Sequence, residues 1–281
     1  MTAVATESEP VGTDWGAVTD TGSVRRLNED SYLAEYPVFV VADGMGGHEA
    51  GERASAEAVA AVRGLLGAPT VSPRDVQERL ADAEARVRAI PTRPGRSAGT
   101  TVTGVVVVEQ GGEPYWLVLN VGDSRTYRLS GGRLEQVSVD HSEIQELLDA
   151  GELTVEEAAH HPLRHVVTRA LGAGAELAAD FWLLPIERHD RILVCSDGLT
   201  SEVADMQIAE ILLAESQPGA AAQRLVDAAL EAGGRDNVTV LVVDVSDLPG
   251  SDDESTTPRG EDLDDSEDTV PRAPARESGR D

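Results

Sequence analysis

Four aspartates stand where apolar runs meet turns: Asp43 after "VFVVA", Asp123 after "LVLNVG", Asp197 after "ILVCS" and Asp236 just before "NVTVLVV". Any one of them beside a glycine is ordinary turn chemistry. Four at apolar-run edges call for more, because carboxylates brought within about 4 Å repel by roughly 4 kcal/mol per pair at an effective dielectric near 20. A cluster of that kind needs cations or protons. Oxygen ligands without a cysteine or a histidine pair select hard ions, so Mg²⁺ or Mn²⁺ is expected and zinc is not. The rival "HHPLRH" has neither a His-Glu-x-x-His pattern nor a cysteine partner.

Gly44 and Gly198 follow two of these aspartates and let the backbone turn tightly against an ion, and the Gly44 carbonyl can itself coordinate. Two such ions can hold a bridging water, lower its pKa and direct hydroxide at phosphorus. An arginine nearby would clamp phosphate oxygens bidentately. "TGSVRRLNEDS" supplies Arg25 and Arg26, followed by the acidic pair Glu29 and Asp30, although an arginine pair in a loop is also what a solvated surface looks like. The residues alone therefore reach a metal-dependent phosphohydrolase.

The elements that would mount these residues are legible. "DWGAV", "SYLAEY" and "VFVVADG" read as strands, Glu49 to Leu66 as a helix, and "SPRDVQERLADAEARVRAI" as a second helix with Ser72 as N-cap and Pro73 at the first helical position. "GTTVTGVVVVEQ", "PYWLVLNVGDSR", "TYRLSGG" and "RLEQVSV" are separated by hairpin-type turns and predict an antiparallel meander. Ser142 to Arg169 is an insertion of short helices and loops. "AADFWLLPI" and "DRILVCSDG" then predict strands, Val203 to Glu215 and Pro218 to Ala232 helices, and "DNVTVLVVDV" a closing strand. The order predicts an α+β sandwich with helix pairs outside.

Composition removes whole classes of function. The net charge of -28 opposes nucleic acid and anionic membranes. All 23 basic residues are arginine, which excludes a P-loop lysine, a kinase lysine and a Schiff base. The N-terminus has no apolar signal region and no run of about 18 apolar residues occurs, so a cytoplasmic protein is expected. Cys195 reads as a small apolar residue ending a buried strand, since no arginine-closed phosphate loop follows it. From Leu248 to Asp281 the chain carries 11 acidic and 4 basic residues and almost nothing to bury, which predicts a disordered tail.

Seven segments, "GSVRRLNEDS", "VVADGMGGHEAGERAS", "GTTVTGVVV", "NVGDSRTYRL", "VDHSEIQELLDAGELTVEEAAHHP", "RILVCSDGLTSEV" and "GGRDNVTVLVV", resemble in order the bacterial type 2C metal-dependent serine/threonine protein phosphatases, the PPM family. The resemblance implies a central sandwich of two antiparallel sheets flanked by helix pairs, spanning residues 12–247, with a mobile flap at about 142–169, a flexible arm over 1–11 and the tail over 248–281. It implies that Asp43 bridges two Mn²⁺ or Mg²⁺ ions, that Gly44 lends its carbonyl, and that Asp197 and Asp236 complete the first ion. Glu29 would hold the second ion through water, Asp123 with Asp197 a third and weaker one, and Arg25 the phosphate.

Asn237 reads as an orienting neighbour of a ligand. Where eukaryotic members carry a histidine after Asp-Gly, this chain has Met45, so leaving-group protonation falls to metal-bound water, with His48 as the alternative. Attack of metal-bound hydroxide on phosphoserine or phosphothreonine is implied. The expected partners are phosphorylated proteins, bacterial Ser/Thr kinases and their substrates among them, met by a monomer. A dedicated phosphatase of one regulatory partner, of the anti-sigma antagonist type, and a catalytically silent binding module are the alternatives.

Overall fold

Val38 to Ala42 is apolar at every position, and a strand of that kind must be covered on both faces. The computed structural model describes residues 11–248, except 47–48, 93–96, 159–160, 164 and 174–178. Most of the expected N-terminal arm, His48 and all but the first residue of the expected tail lie outside the described residues.

The chain begins with β1 (Gly12–Asp20), β2 (Asp30–Glu35) and β3 (Val38–Met45), followed by α1 (Glu49–Val62) and α2 (Pro73–Arg88). Then come β4 (Gly99–Thr100), β5 (Val102–Gln110), β6 (Glu113–Val121), β7 (Arg125–Ser130) and β8 (Arg133–Gln136). The short α3 (Glu143–Asp149) and α4 (Val155–Ala158) occupy the insertion, ahead of β9 (Asp180–Pro185) and β10 (Arg191–Cys195). The chain closes with α5 (Asp197–Thr200), α6 (Asp205–Ala214), α7 (Pro218–Ala232) and β11 (Val238–Asp247).

Two antiparallel sheets result. One has the order β2-β3-β5-β6-β9, with β4 on the end of β3, and the other β1-β11-β10-β7-β8. The strands from Gly99 to Gln136 are not one meander, because β5 and β6 pair in the first sheet and β7 and β8 in the second. The chain steps between sheets at Gly122 to Ser124, and hydroxyl pairs rivet the step: Thr101 with Ser124 at 2.8 Å and Thr103 with Thr126 at 2.9 Å.

The period of two assigns each strand residue to a layer. Val38, Val40 and Ala42 pack under α1 and α2, whose buried positions Ala58, Ala61, Val76, Leu80, Ala83 and Val87 recur at helical spacing. Leu193, Cys195, Val240 and Val242 pack under α6 and α7 against Ile208, Leu212, Leu225 and Ala229. Phe39, Val41, Val105, Ile192, Leu241 and Val243 fill the space between the sheets. Toward one end this middle layer turns polar, through Thr103, Thr126 and Thr239, and at its rim it turns acidic at Asp43. Residue 43 is odd like 39 and 41, so its carboxylate inherits the between-sheet direction.

The second helix starts as the sequence predicts, with a reciprocal cap: Ser72 Oγ accepts from Asp75 N at 3.3 Å and Asp75 Oδ2 accepts from Ser72 N at 2.8 Å. The C-terminal end of α6 is held differently. Arg191, on β10, donates to both oxygens of Asp244 at 2.6 Å and to the carbonyls of Leu212 at 2.5 Å and Glu215 at 2.6 Å. Arg191→Ala should destabilise the fold by about 3–5 kcal/mol in urea unfolding, because it strands a carboxylate and helix-end carbonyls in a largely buried place.

Candidate active site

A cavity of about 520 Å³ opens at the acidic rim, and its wall includes Arg25, Glu29, Asp43, Asp123, Asp197 and Asp236. Gly44 lines it as well, so the seven residues to which the resemblance gives a metal or phosphate role meet there. They come from the β1–β2 loop, the end of β3, the crossover after β6, the start of α5 and the loop before β11.

Asp43, Gly44 and Glu29 are mounted by backbone bonds that survive side-chain motion. Asp43 N donates to Thr101 Oγ1 at 3.0 Å, and Asp43 O accepts from Thr101 N and Thr100 Oγ1, both at 2.9 Å. A Cβ on Gly44 would lie 2.2 Å from Gly51 O and 2.6 Å from Glu29 O, so only glycine lets α1 and the Glu29 strand entry close here. Asn237 is the hub of the loop that carries Arg25. Its Nδ2 donates to Thr21 O and Leu27 O, each at 2.9 Å, its Oδ1 accepts from Glu29 N at 2.9 Å, and its N donates to Asp236 Oδ1 at 2.8 Å.

Burial and mutual repulsion push Asp43, Asp123 and Asp197 upward. Burial is the largest cause for Asp43, whose pKa stands well above the usual carboxylate range, with the charges of Asp30, Asp197, Asp123 and Asp236 adding to it. Burial, then Asp197, lifts Asp123 to about 7. Asp197 is raised by burial and by the charge of Asp236. Arg25 is pulled down by burial, but the contact with Asp236 and the charges of Glu29 and Asp43 outweigh it and its pKa is raised.

Two buried carboxylate oxygens, Asp197 Oδ1 and Asp30 Oδ1, find no hydrogen-bond partner among the described residues. An all-oxygen donor set with buried lone pairs left over and pKa values raised by crowding fits hard divalent cations. No three of the described acidic, histidine or cysteine side chains are gathered closely enough to ligate an ion as they stand. Part of the set is engaged otherwise: Asp236 Oδ2 is 2.6 Å from Arg25 Nη2 and its Oδ1 accepts from Asn237 N.

The sequence matches the Protein phosphatase 2C family over residues 24–232. The chain belongs to that family. It is 38% identical over 267 residues to the serine/threonine protein phosphatase PstP of Mycobacterium tuberculosis, an alignment covering 87% of this chain and 50% of PstP. The chain thus spans about half the length of that relative. It is 34% identical to the serine/threonine phosphatase Stp of Listeria monocytogenes, over 80% of this chain and 93% of Stp. The crystal structure of the PstP catalytic domain in complex with two manganese ions superposes with a TM-score of 0.74 at 35% identity, covering 84% of this chain and 99% of that one.

Several residues in or next to this phosphatase 2C cavity escape a reading of strand ends. Asp30 is register partner of Asp43, and its Oδ2 accepts from Thr239 Oγ1 at 2.7 Å. Burial lifts it to about 7, against the hydrogen bonds of Thr239 and Ser196. Its place directly after Glu29 is the only signal in the sequence. His165, from the motif "HHPLRH", and Arg235 also stand on the wall. Cys195 faces the helix side of its sheet, and burial raises its thiol to about 12, so it takes no part in the chemistry.

Proposed function

We propose that the protein is a metal-dependent serine/threonine protein phosphatase that hydrolyses phosphoserine and phosphothreonine in proteins. The convergence of Asp43, Asp197 and Asp236 with Arg25 in one cavity at the sandwich rim carries this reading. Asp43 would be the ligand common to two ions, Mn²⁺ or Mg²⁺, with the Gly44 carbonyl beside it, Asp197 and Asp236 on the first, and Glu29 through water on the second. Asp123 and Asp197 would share a third, weaker ion. Bound there, the ions supply Lewis-acid charge to the phosphoryl group and lower the pKa of water. The two manganese ions of the PstP catalytic domain support the count.

Arg25 orients the phosphate. Its guanidinium is half exposed and already turned into the cavity by Asp236, so it presents donors to an incoming anion with little left to order. His165 lines the same cavity and offers a nitrogen that could serve as a proton donor, whereas Met45, also on its wall, offers none. A monomer is proposed, its site built from the residues of a single chain. Phosphorylated proteins, including Ser/Thr kinases and their substrates, are the proposed partners, in the cytoplasm, where a single buried thiol is at home. A dedicated phosphatase of one regulator would use the same site and differ only in a narrow substrate panel. A silent module is opposed by the presence of every proposed ligand.

Hydrolysis of a phosphothreonine peptide with Mn²⁺, and with excess chelator, tests the reading: activity surviving chelation would refute it. Arg25→Ala should lower kcat/KM on the order of 10²-fold by steady-state kinetics, the loss of one charge-assisted phosphate clamp.

A further inference from the structure

His141 is 5% exposed and no step above uses it. Its Nδ1 lies 3.1 Å from Gly122 N, which has a proton to donate, so Nδ1 is the accepting nitrogen and the ring proton sits on Nε2. Nε2 is 3.1 Å from Asp180 Oδ2, the acceptor that completes the assignment. Arg169 Nη1 stands 3.3 Å from Nε2 and 3.7 Å from Asp180 Oδ1; with Nδ1 committed to accepting from Gly122 N, Nε2 carries the ring proton and Arg169 is a neighbouring cation rather than a donor to the ring.

The backbone of His141 makes two more connections. Its N donates to Gly122 O at 2.9 Å, and its O accepts from Thr168 N at 2.8 Å. Directly after it the inserted segment begins, zipped at its base by the Ser142–Val167 bridge and by Glu143 N donating to Val166 O at 2.9 Å. The returning side of that zipper, at His165 and Val167, is cavity wall. On its other side His141 grips the crossover that carries Asp123. Gly122 there has φ +111, and a Cβ on it would meet Thr101 Cγ2 at 2.5 Å, so the crossover is clamped between Thr101 and the imidazole.

We propose that His141, oriented by Asp180, is a positioning residue that couples the Asp123 crossover to the base of the inserted segment, so that ion binding at Asp123 and substrate contact by the segment depend on one imidazole acceptor. The proposal rests on the reading of Asp123 as a metal ligand.

The test compares the full-length chain with His141→Asn, His141→Leu and Asp180→Ala. Asparagine places a carbonyl oxygen near the Nδ1 position and can still accept from Gly122 N, whereas leucine cannot. Mn²⁺ calorimetry should show the weakest binding event loosened tenfold or more in His141→Leu and within threefold of wild type in His141→Asn. With a phosphothreonine peptide, His141→Leu should raise KM at least fivefold beyond its effect on p-nitrophenyl phosphate, with His141→Asn again near wild type.

Equal losses in the two variants, or no loss in either, overturn the proposal. Should His141→Leu not fold, Asp180→Ala, at a half-exposed position, decides: it should loosen the same Mn²⁺ event at least threefold, and an unchanged isotherm overturns the proposal. Nitrogen-15 spectra of the Mg²⁺-loaded protein test the tautomer independently, since a proton on Nδ1 would also overturn it. An Asp123→Ala isotherm identical to wild type would sink the Asp123 reading, while the tautomer and the peptide kinetics judge His141 separately.

Discussion

Asp43→Asn should abolish turnover, lowering kcat by about 10³-fold or more at saturating Mn²⁺, since removal of several kcal/mol of transition-state stabilisation costs a factor of ten for each 1.36 kcal/mol. The substitution keeps the shape of the side chain. It also leaves untouched the bonds that mount residue 43, which run from its main chain to Thr100 and Thr101. What it removes is a charge, at the position whose carboxyl faces Asp30, Asp123, Asp197 and Asp236 together. The same substitution should therefore act oppositely on stability. In chelator at pH 8, Asp43→Asn should melt at a higher temperature than wild type, because one member of a repelling set has been neutralised. A variant inactive because it is misfolded would melt lower, so the pair of measurements separates a lost ligand from a lost fold. Full activity in Asp43→Asn would overturn the metal assignment.

The site is legible in the sequence because of where chemistry interrupts hydrophobicity. A strand such as "VFVVADG" commits its apolar residues to two packed layers, and the first polar residue after them marks the rim. Asp43, Asp123, Asp197 and Asp236 stand out that way, and the structure brings all four to one cavity. Helix starts are legible where the chemistry is local, at the Ser72 cap and at Pro218 in the first turn. What stays hidden depends on pairing register. Asp30 looks like a loop acid until β2 is set against β3, which places it opposite Asp43. The expected meander fails for the same reason: hairpin-type turns fix that two strands are neighbours in sequence, not that they share a sheet, and the step at Gly122 hands the chain to the other layer. The motif of His165 raises only the question of a metal site, whereas its placement on the wall follows from the Ser142–Val167 bridge, a contact 25 residues apart that no local pattern announces.

Metal-free protein should lose stability as pH rises from about 4 to about 7. Asp30 and Asp123 titrate near 7 in the folded protein against 3.8 for an ordinary aspartate, with burial as the main cause in each. Between those limits the native state binds protons that the unfolded chain has released, so the derivative of unfolding free energy with pH is negative. The contribution is fully present below the unfolded value and is lost as pH passes through the folded one. Asp43 and Asp197, also raised, add to the slope in the same direction. Thermal melts in chelator should accordingly fall by several degrees between pH 5 and pH 8, and the fall should be reversed by Mn²⁺, which stabilises whichever state holds it in proportion to the logarithm of its concentration. Ions and protons would then be competing for the same carboxylates, so the stabilisation by Mn²⁺ should itself grow with pH. A melting temperature that is flat from pH 5 to pH 8 in chelator, or that Mn²⁺ leaves unchanged at pH 8, would mean that the acidic rim relieves its crowding by some route other than protonation and cation binding.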